Sequence, residues 1–364
     1  MPNQTENRKA EHIRISLNED VQARRATTGF EDALLVHRAL PEINRDKISL
    51  ATEAFGHKFS APVIVGAITG GTQEAARINT SIAEAVDELG LGMGVGSQRA
   101  AIENPRLEST FRIVRKKAPK AFLMANIGAP QLAQGYGLKE AEKAVEMIEA
   151  DALAIHLNPL QEAVQPEGEA SYAGVLGKIE RIAEKLQVPI IIKETGAGIS
   201  AEVAKQLEQA GVKGIDVSGV GGTSWAAVER YRATAAKDVS RQLLGESFWD
   251  WGIPTAASLV EVIQSTKLMT VASGGVRTGT HVAKALALGA SLASMSTPIL
   301  RPATTSSQEV KKALSYCVEE LRNTMFLVGA RSVDELKRVP VVILGKTSEW
   351  LEKRGFKTAT YARR

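Results

Sequence analysis

Eight short, almost uninterrupted apolar runs recur along the chain, at residues 62–67, 92–96, 122–126, 152–158, 189–194, 214–218, 268–272 and 291–296. Each ends in small or polar residues, and helical patterns separate them at intervals of roughly 30 residues. A strand that is apolar at every position must be covered on both faces, which is the habit of parallel sheets flanked by helices. Eight such units fit a sheet closed into a (β/α)8 barrel. A doubly wound open sheet is the rival. Polar residues at the C-terminal ends of nearly all the units favour the barrel, because barrels build their sites there. The expected fold class is therefore α/β, a TIM barrel with N-terminal and C-terminal extensions. Residues 1–60 form an N-terminal arm and pre-barrel segment, 61–330 the barrel, and 331–364 a C-terminal extension.

Within that frame, residues 307–326 read as the closing helix, and a polar tail follows them. The aromatic stretch at residues 248–254 interrupts the alternation and reads as packing or contact residues. Residues 7–12, with Arg8, Lys9 and His12, read as a solvated arm, or as one that meets an anion if it folds back over a site.

Composition narrows the function. Against 45 Lys+Arg stand 41 Asp+Glu, a net charge of +4. That balance is too even to argue for nucleic acid, while a pI near 9.0 tolerates an anionic ligand. A single cysteine, Cys317, excludes an intramolecular disulfide and any cysteine-rich metal cluster, as in a reducing cytoplasm. No apolar run approaches membrane-spanning length and no signal-peptide core is present, so a cytoplasmic protein is expected. Neither a Walker A sequence nor CxxC occurs, and the glycines at residues 92–96 fail the GxGxxG spacing. Cys317 lies in a helical pattern far from the strand ends, a poor place for a nucleophile.

The seventh unit carries the most specific local signal. A short strand runs into Ser273, Gly274, Gly275, Val276 and Arg277, and a helical pattern follows. Paired glycines between strand and helix let backbone N–H groups close around an anion, and Arg277 adds a charge-assisted grip. The eighth unit ends in small polar residues as well. This matches the phosphate site that barrels build after their last two strands, in preference to an ordinary tight turn.

The other strand ends contribute Thr69, Ser97 with Arg99, Asn126, His156 with Asn158, Lys193, and Ser218 with Thr223. Lys193 ends a strand of pure isoleucine, where a cation stabilises negative charge on a bound cofactor. Glu162 follows His156 by six residues without a neighbouring Asp or His. One carboxylate still suffices for a Mg2+ whose other ligands are water and phosphate oxygens. His156 reads as structural or functional with equal weight.

In their order and positions, these pieces resemble type II isopentenyl diphosphate isomerase, the flavin-dependent form, over nearly the whole chain. The matching residues are Arg8, Lys9 and His12, then 67–71, 97–99, 156–162, Lys193 with Glu194, 218–223 and 273–277. The resemblance implies FMN at the barrel mouth, Mg2+ on a substrate diphosphate, and NADPH as reductant. It also implies interconversion of isopentenyl and dimethylallyl diphosphate by a homo-oligomer, a homotetramer or homo-octamer. On the same footing FMN contacts fall on Ala67, Ile68, Thr69, Ser97, Asn126, Lys193, Ser218, Thr223, Gly275, Val276, Arg277, Ser296 and Thr297. Substrate contacts fall on Arg8, Lys9, Ser97, Gln98, Arg99, His156 and Gln161, with the metal on Glu162. Lys193, His156 and Gln161 are the implied catalytic residues. Ser296-Thr297 departs from the family's more usual Ala-Leu, a change that backbone contacts survive.

The competing enzyme reading is an FMN-dependent oxidoreductase of the 2-hydroxy acid oxidase type. It requires a histidine base after strand six, where this chain has Ser218 to Thr223 and none. An IMP dehydrogenase-like reading lacks its loop cysteine. A non-catalytic flavin- or phosphate-binding scaffold is the third reading, and Lys193, His156, Gln161 and Glu162 weigh against it.

Overall fold

Eight parallel strands close into a barrel in a computed structural model that describes residues 4–364, with side chains from Asn7 onward. The strands are β1 (Val63–Val65), β2 (Gly92–Gly94), β3 (Phe122–Gly128), β4 (Ala152–His156), β5 (Ile190–Lys193), β6 (Gly214–Asp216), β7 (Met269–Ala272) and β8 (Leu292–Met295). Each lies between its sequence neighbours, and β8 pairs with β1 to close the ring. All eight apolar runs thus became barrel strands. No helix among the described residues is long and apolar enough to cross a membrane.

Strand alternation stacks the barrel interior in layers. The lower layers are apolar, with Ile64, Phe122, Met124, Ala154, Ile191, Val271 and Leu292 in one buried cluster. Two residues further along each strand, the same inward positions hold Asn126, His156, Lys193, Asp216, Ser273 and Ser294. Register puts Lys193 opposite His156 on one side and Asp216 on the other. The switch from apolar to polar occurs at one level of the barrel.

The N-terminal end of the barrel is plugged by an antiparallel hairpin, Thr52–Ala54 with His57–Phe59. Phe55 stacks on Phe122 at 6.1 Å between centroids, and Phe59 meets the same ring at 5.4 Å. Gly214 accommodates the plug, since a Cβ there would stand 2.6 Å from the Phe55 ring.

Both chain ends are more ordered than the sequence suggests. The arm is a helix, Gln4–Asn18, that buries Ile13 and Ile15. Ile15 packs with Val21, Ala227, Val228 and Trp249. Of the aromatic stretch, Trp249 is buried under the Arg24 guanidinium, while Trp251 is exposed. The closing helix spans Ser307–Leu327. Beyond it, Val341–Ile343 pairs antiparallel with Ala33–Leu35, so the two extensions join each other. The polar tail also supplies Arg354 and Trp350 to Glu261, whose side chain is wholly buried. Buried Leu351 and Tyr361 complete that docking.

Phe122→Ala should remove the ring on which the plug rests and cost about 3–5 kcal/mol of stability, as for other buried aromatic truncations. Urea unfolding of the apoprotein measures this. An unchanged midpoint would show that the plug does not depend on that ring.

Candidate active site

Above the polar layer opens a cavity of about 260 Å³, lined by all eight strand ends and by the N-terminal helix. It has two poles. The first is the turn after β7, where Gly274 and Gly275 hold φ of +92° and +74°. Only glycine adopts such angles without strain, and a Cβ on Gly275 would also stand 2.4 Å from the Gly221 carbonyl. Among the described residues, nothing accepts from the N–H groups of Gly275, Val276 and Arg277. Open N–H groups in a tight turn form an anion cradle. The Arg277 guanidinium braces the cradle, donating to the carbonyls of Gly275 (3.0 Å) and Gly221 (3.1 Å).

Beside it lies the wall of β8 and β1. Here Ser294 Oγ is buried without a hydrogen-bond partner, and Gly66 leaves room that a Cβ would lose to Ser294 and Ser296. Thr223 and Thr297 hydroxyls bond each other at 2.8 Å across the rim. An orphaned hydroxyl, open N–H groups and space kept by glycine fit a phosphate-bearing polar ring system, as FMN is. Ala67, Ile68, Thr69, Ser97, Ser218 and Val276 border the same space.

Between the poles runs the polar layer. Asn126 Nδ2 donates to the Val95 carbonyl at 3.0 Å, which fixes its Oδ1 as the acceptor facing His156 Nδ1 at 2.8 Å. His156 is thereby set as the Nδ1-protonated neutral tautomer. Burial, and then the nearby Lys193 cation, push its pKa down to about 3. Burial likewise lowers Lys193, opposed by Asp216 and Glu194. With its one N–H given to Asn126, the neutral imidazole leaves Nε2 as an acceptor and carries no charge of its own.

The second pole is cationic with one carboxylate. Arg8, Lys9 and Arg99 border the cavity, Lys9 through an ammonium that donates to the Ser97 carbonyl at 2.7 Å. Arg99 is held by Glu103 (2.8 Å) and Glu169 (3.3 Å). Glu162 faces this pole from the helix Pro159–Val164. It accepts from Asn158 Nδ2 (2.8 Å), Gln165 Nε2 (2.6 Å) and the Glu169 N–H (2.7 Å). Among the described residues no group of three His, Cys, Asp or Glu could hold a metal ion. A single oriented carboxylate suits a divalent cation that takes its remaining ligands from water and phosphate.

Gln161 introduces a partner the sequence reading lacked. Its Nε2 donates to Glu229 Oε1 at 3.1 Å. Glu229 also pairs with His12 (2.9 Å) and Arg232 (2.7 Å), with only 1% of its side chain exposed. Burial alone would raise its carboxyl, but His12 and Arg232 bring it down to about 2. The anion thus ties Gln161 to the N-terminal helix, whose Glu11 also pairs with Arg232 at 2.9 Å.

Every residue assigned by resemblance lines this cavity except one. Gln98 is fully buried behind it, donating to the Ala144 carbonyl and accepting from the Asn126 N–H, both at 2.8 Å. Its amide positions Asn126 and does not border the cavity. Sequence reasoning missed Asp216, Ser294, Trp225 and Glu229. Asp216 alone carried a signal, a carboxylate inside an apolar strand.

Relatives settle the family. A model of the FMN-dependent dehydrogenase family matches residues 2–113 and 158–342. An isopentenyl-diphosphate delta-isomerase of Methanothermobacter thermautotrophicus is 50% identical over 357 residues, covering 98% of this chain and 99% of the relative. One from Thermococcus onnurineus is 52% identical over 355 residues, covering 95% and 94%. The chain belongs to the isopentenyl-diphosphate delta-isomerase family, within the FMN-dependent dehydrogenases. Among solved structures, a putative lactate oxidase of Pediococcus acidilactici superposes with a TM-score of 0.66 at 16% identity, covering 93% of this chain and 94% of that one. Flavocytochrome b2 gives 0.65 at 19% identity, covering 90% and 81%. These neighbours share the isomerase family's barrel. The histidines at this cavity are His12 and His156, and neither follows β6, where the oxidase reading needs its base.

His156 should stay neutral from pH 8 to pH 5, and its imidazole NMR shift should be flat over that range. The folded protein refuses a proton until about pH 3, whereas the unfolded chain takes it up near about pH 6.5. Stability at neutral pH is therefore unaffected, and falls as pH drops below about 6.5, by about 2 kcal/mol at about pH 5. A titration midpoint between pH 6 and 7 would contradict this.

Proposed function

We propose that the chain interconverts isopentenyl and dimethylallyl diphosphate, with FMN on the polar layer and Mg2+ on the substrate diphosphate. What carries the reading is one cavity with two separate anion-binding poles, one built for a cofactor phosphate and one for a diphosphate with a metal. The FMN phosphate would lie in the cradle of Gly275, Val276 and Arg277, helped by backbone N–H groups at Ser296 and Thr297. Ala67, Ile68, Thr69, Ser97, Asn126, Lys193, Ser218 and Thr223 would border its ring system and side chain. Reduced FMN supplies the proton donor and acceptor that an unactivated alkene does not find among ordinary side chains.

The chain's own residues do the rest. Arg8, Lys9 and Arg99 neutralise the diphosphate, and Glu162 orients Mg2+ against it. The neutral His156 offers Nε2 as an acceptor without adding charge, and Gln161 is held in place by Glu229. Lys193 supplies the cation that favours negative charge on the reduced cofactor. The N-terminal helix covers the mouth and keeps water from a cation-like alkene. NADPH as reductant, a homotetramer or homo-octamer, and a cytoplasmic location complete the reading.

Given FMN, Mg2+ and NADPH without oxygen in heavy water, isopentenyl diphosphate should yield dimethylallyl diphosphate with solvent deuterium in its new methyl group. Glu162→Gln should leave the flavin spectrum alone, raise the Mg2+ requirement and slow turnover by at least about tenfold, the lower scale for disturbed metal sites. Product without solvent deuterium would contradict the isomerase reading. Loss of FMN with normal Mg2+ dependence would contradict the role of Glu162.

A further inference from the structure

Two carboxylates flank Lys193, and the proposed function uses neither. Glu194 is committed elsewhere. Its Oε2 accepts the N–H groups of Thr195 and Gly196 at 2.6 Å each, and that of Ala197, which folds the loop after β5. Its backbone carbonyl takes one of the three N–H donors of Lys193, at 3.1 Å.

Asp216 is placed differently. It is the register partner of Lys193, points inward from β6, borders the cavity and is 4% exposed. The Ser218 N–H donates to Ser273 Oγ at 3.1 Å, and the same hydroxyl bonds Asp216 Oδ1. Ser273 Oγ thus accepts from the backbone and donates to the carboxylate. A donor aimed at Asp216 favours its ionised form, against the burial that raises it.

A buried ammonium without a counter-charge releases its proton. Burial lowers Lys193 and raises Asp216, and each charge opposes the other's shift. The other groups facing Lys193 are Glu194, bound to its loop, and His156, which is neutral. Both carboxylates support the lysine's charge, Asp216 more than Glu194, and of the two Asp216 is the one that borders this cavity.

We propose that Asp216, oriented by Ser273, is a positioning residue that keeps the Lys193 ammonium charged and aimed at the flavin. The proposal rests on the reading of this cavity as an FMN site. It differs in sign from a purely structural role. Were Asp216 only a nearby negative charge, neutralising it would favour the anionic reduced cofactor and raise the flavin midpoint potential. If it maintains the Lys193 cation, Asp216→Asn removes the positive charge that meets the cofactor, and the potential falls.

The test is the midpoint potential of the FMN-loaded protein at neutral pH, by dye equilibration. Asp216→Asn should lower it by about 30 mV or more, a tenfold shift of a two-electron equilibrium. Ser273→Ala, which keeps the acid but frees it, should give a smaller fall. In a Lys193→Met background, Asp216→Asn should raise the potential, because no cation remains to be held. A raised or unchanged potential in Asp216→Asn overturns the proposal while the FMN site stands. If that variant does not fold, a raised or unchanged potential in Ser273→Ala does the same. Wild-type protein that fails to retain FMN would overturn the cofactor reading and the proposal with it.

Discussion

A lysine ammonium buried at the top of an apolar barrel is the interaction on which the site depends. Isoleucines at residues 190–192 carry Lys193 to the level where the interior turns polar, and there it borders the cavity half-buried. Such a charge persists only with partners. Asp216, its register partner, and then Glu194 provide them, and the Glu194 carbonyl accepts from the ammonium. Burial first and then the same cation depress His156, so the cavity floor keeps one positive charge beside a neutral ring.

The second dependence is between the mouth and the N-terminal helix. Glu229 is a buried anion with three partners, His12, Arg232 and Gln161. His12 joins the helix Gln4–Asn18 to the helix Trp225–Ala235, Arg232 braces the anion from its own helix and reaches Glu11, and Gln161 is fixed at the substrate pole. Removing any one partner would leave a buried carboxylate less compensated, which is costly. Covering the mouth and orienting Gln161 are thus one structural event. Oxidase-type neighbours share the barrel, but their fold says nothing about this polar clasp.

The barrel was legible because strands buried on both faces leave continuous apolar runs, and a polar residue ending such a run can only face the mouth. That logic found Lys193, His156 and Asn126. It passed over Asp216, since the serine and glycines beyond the sixth run drew attention to Ser218 and Thr223. Gln98 was misplaced because its neighbours Ser97 and Arg99 both reach the cavity while its own side chain turns behind the strand. The N-terminal helix was illegible for a different reason. Ile13 and Ile15 are its buried apolar anchors, and its ion pairs reach residues more than 200 positions away. Glu229 next to Arg232 reads, in sequence, as an ordinary surface pair one helical turn apart. The C-terminal segment hides a few apolar anchors, Ile343, Leu351 and Tyr361, inside a polar composition.

The central claim is that this flavin-type barrel performs proton transfer without net redox chemistry. It is tested most directly by counting NADPH oxidised against dimethylallyl diphosphate formed, without oxygen, at saturating FMN and Mg2+. The account predicts that reductant is needed to start the reaction and is then spared, with many products for each flavin reduced. One equivalent of NADPH consumed for each product would contradict it.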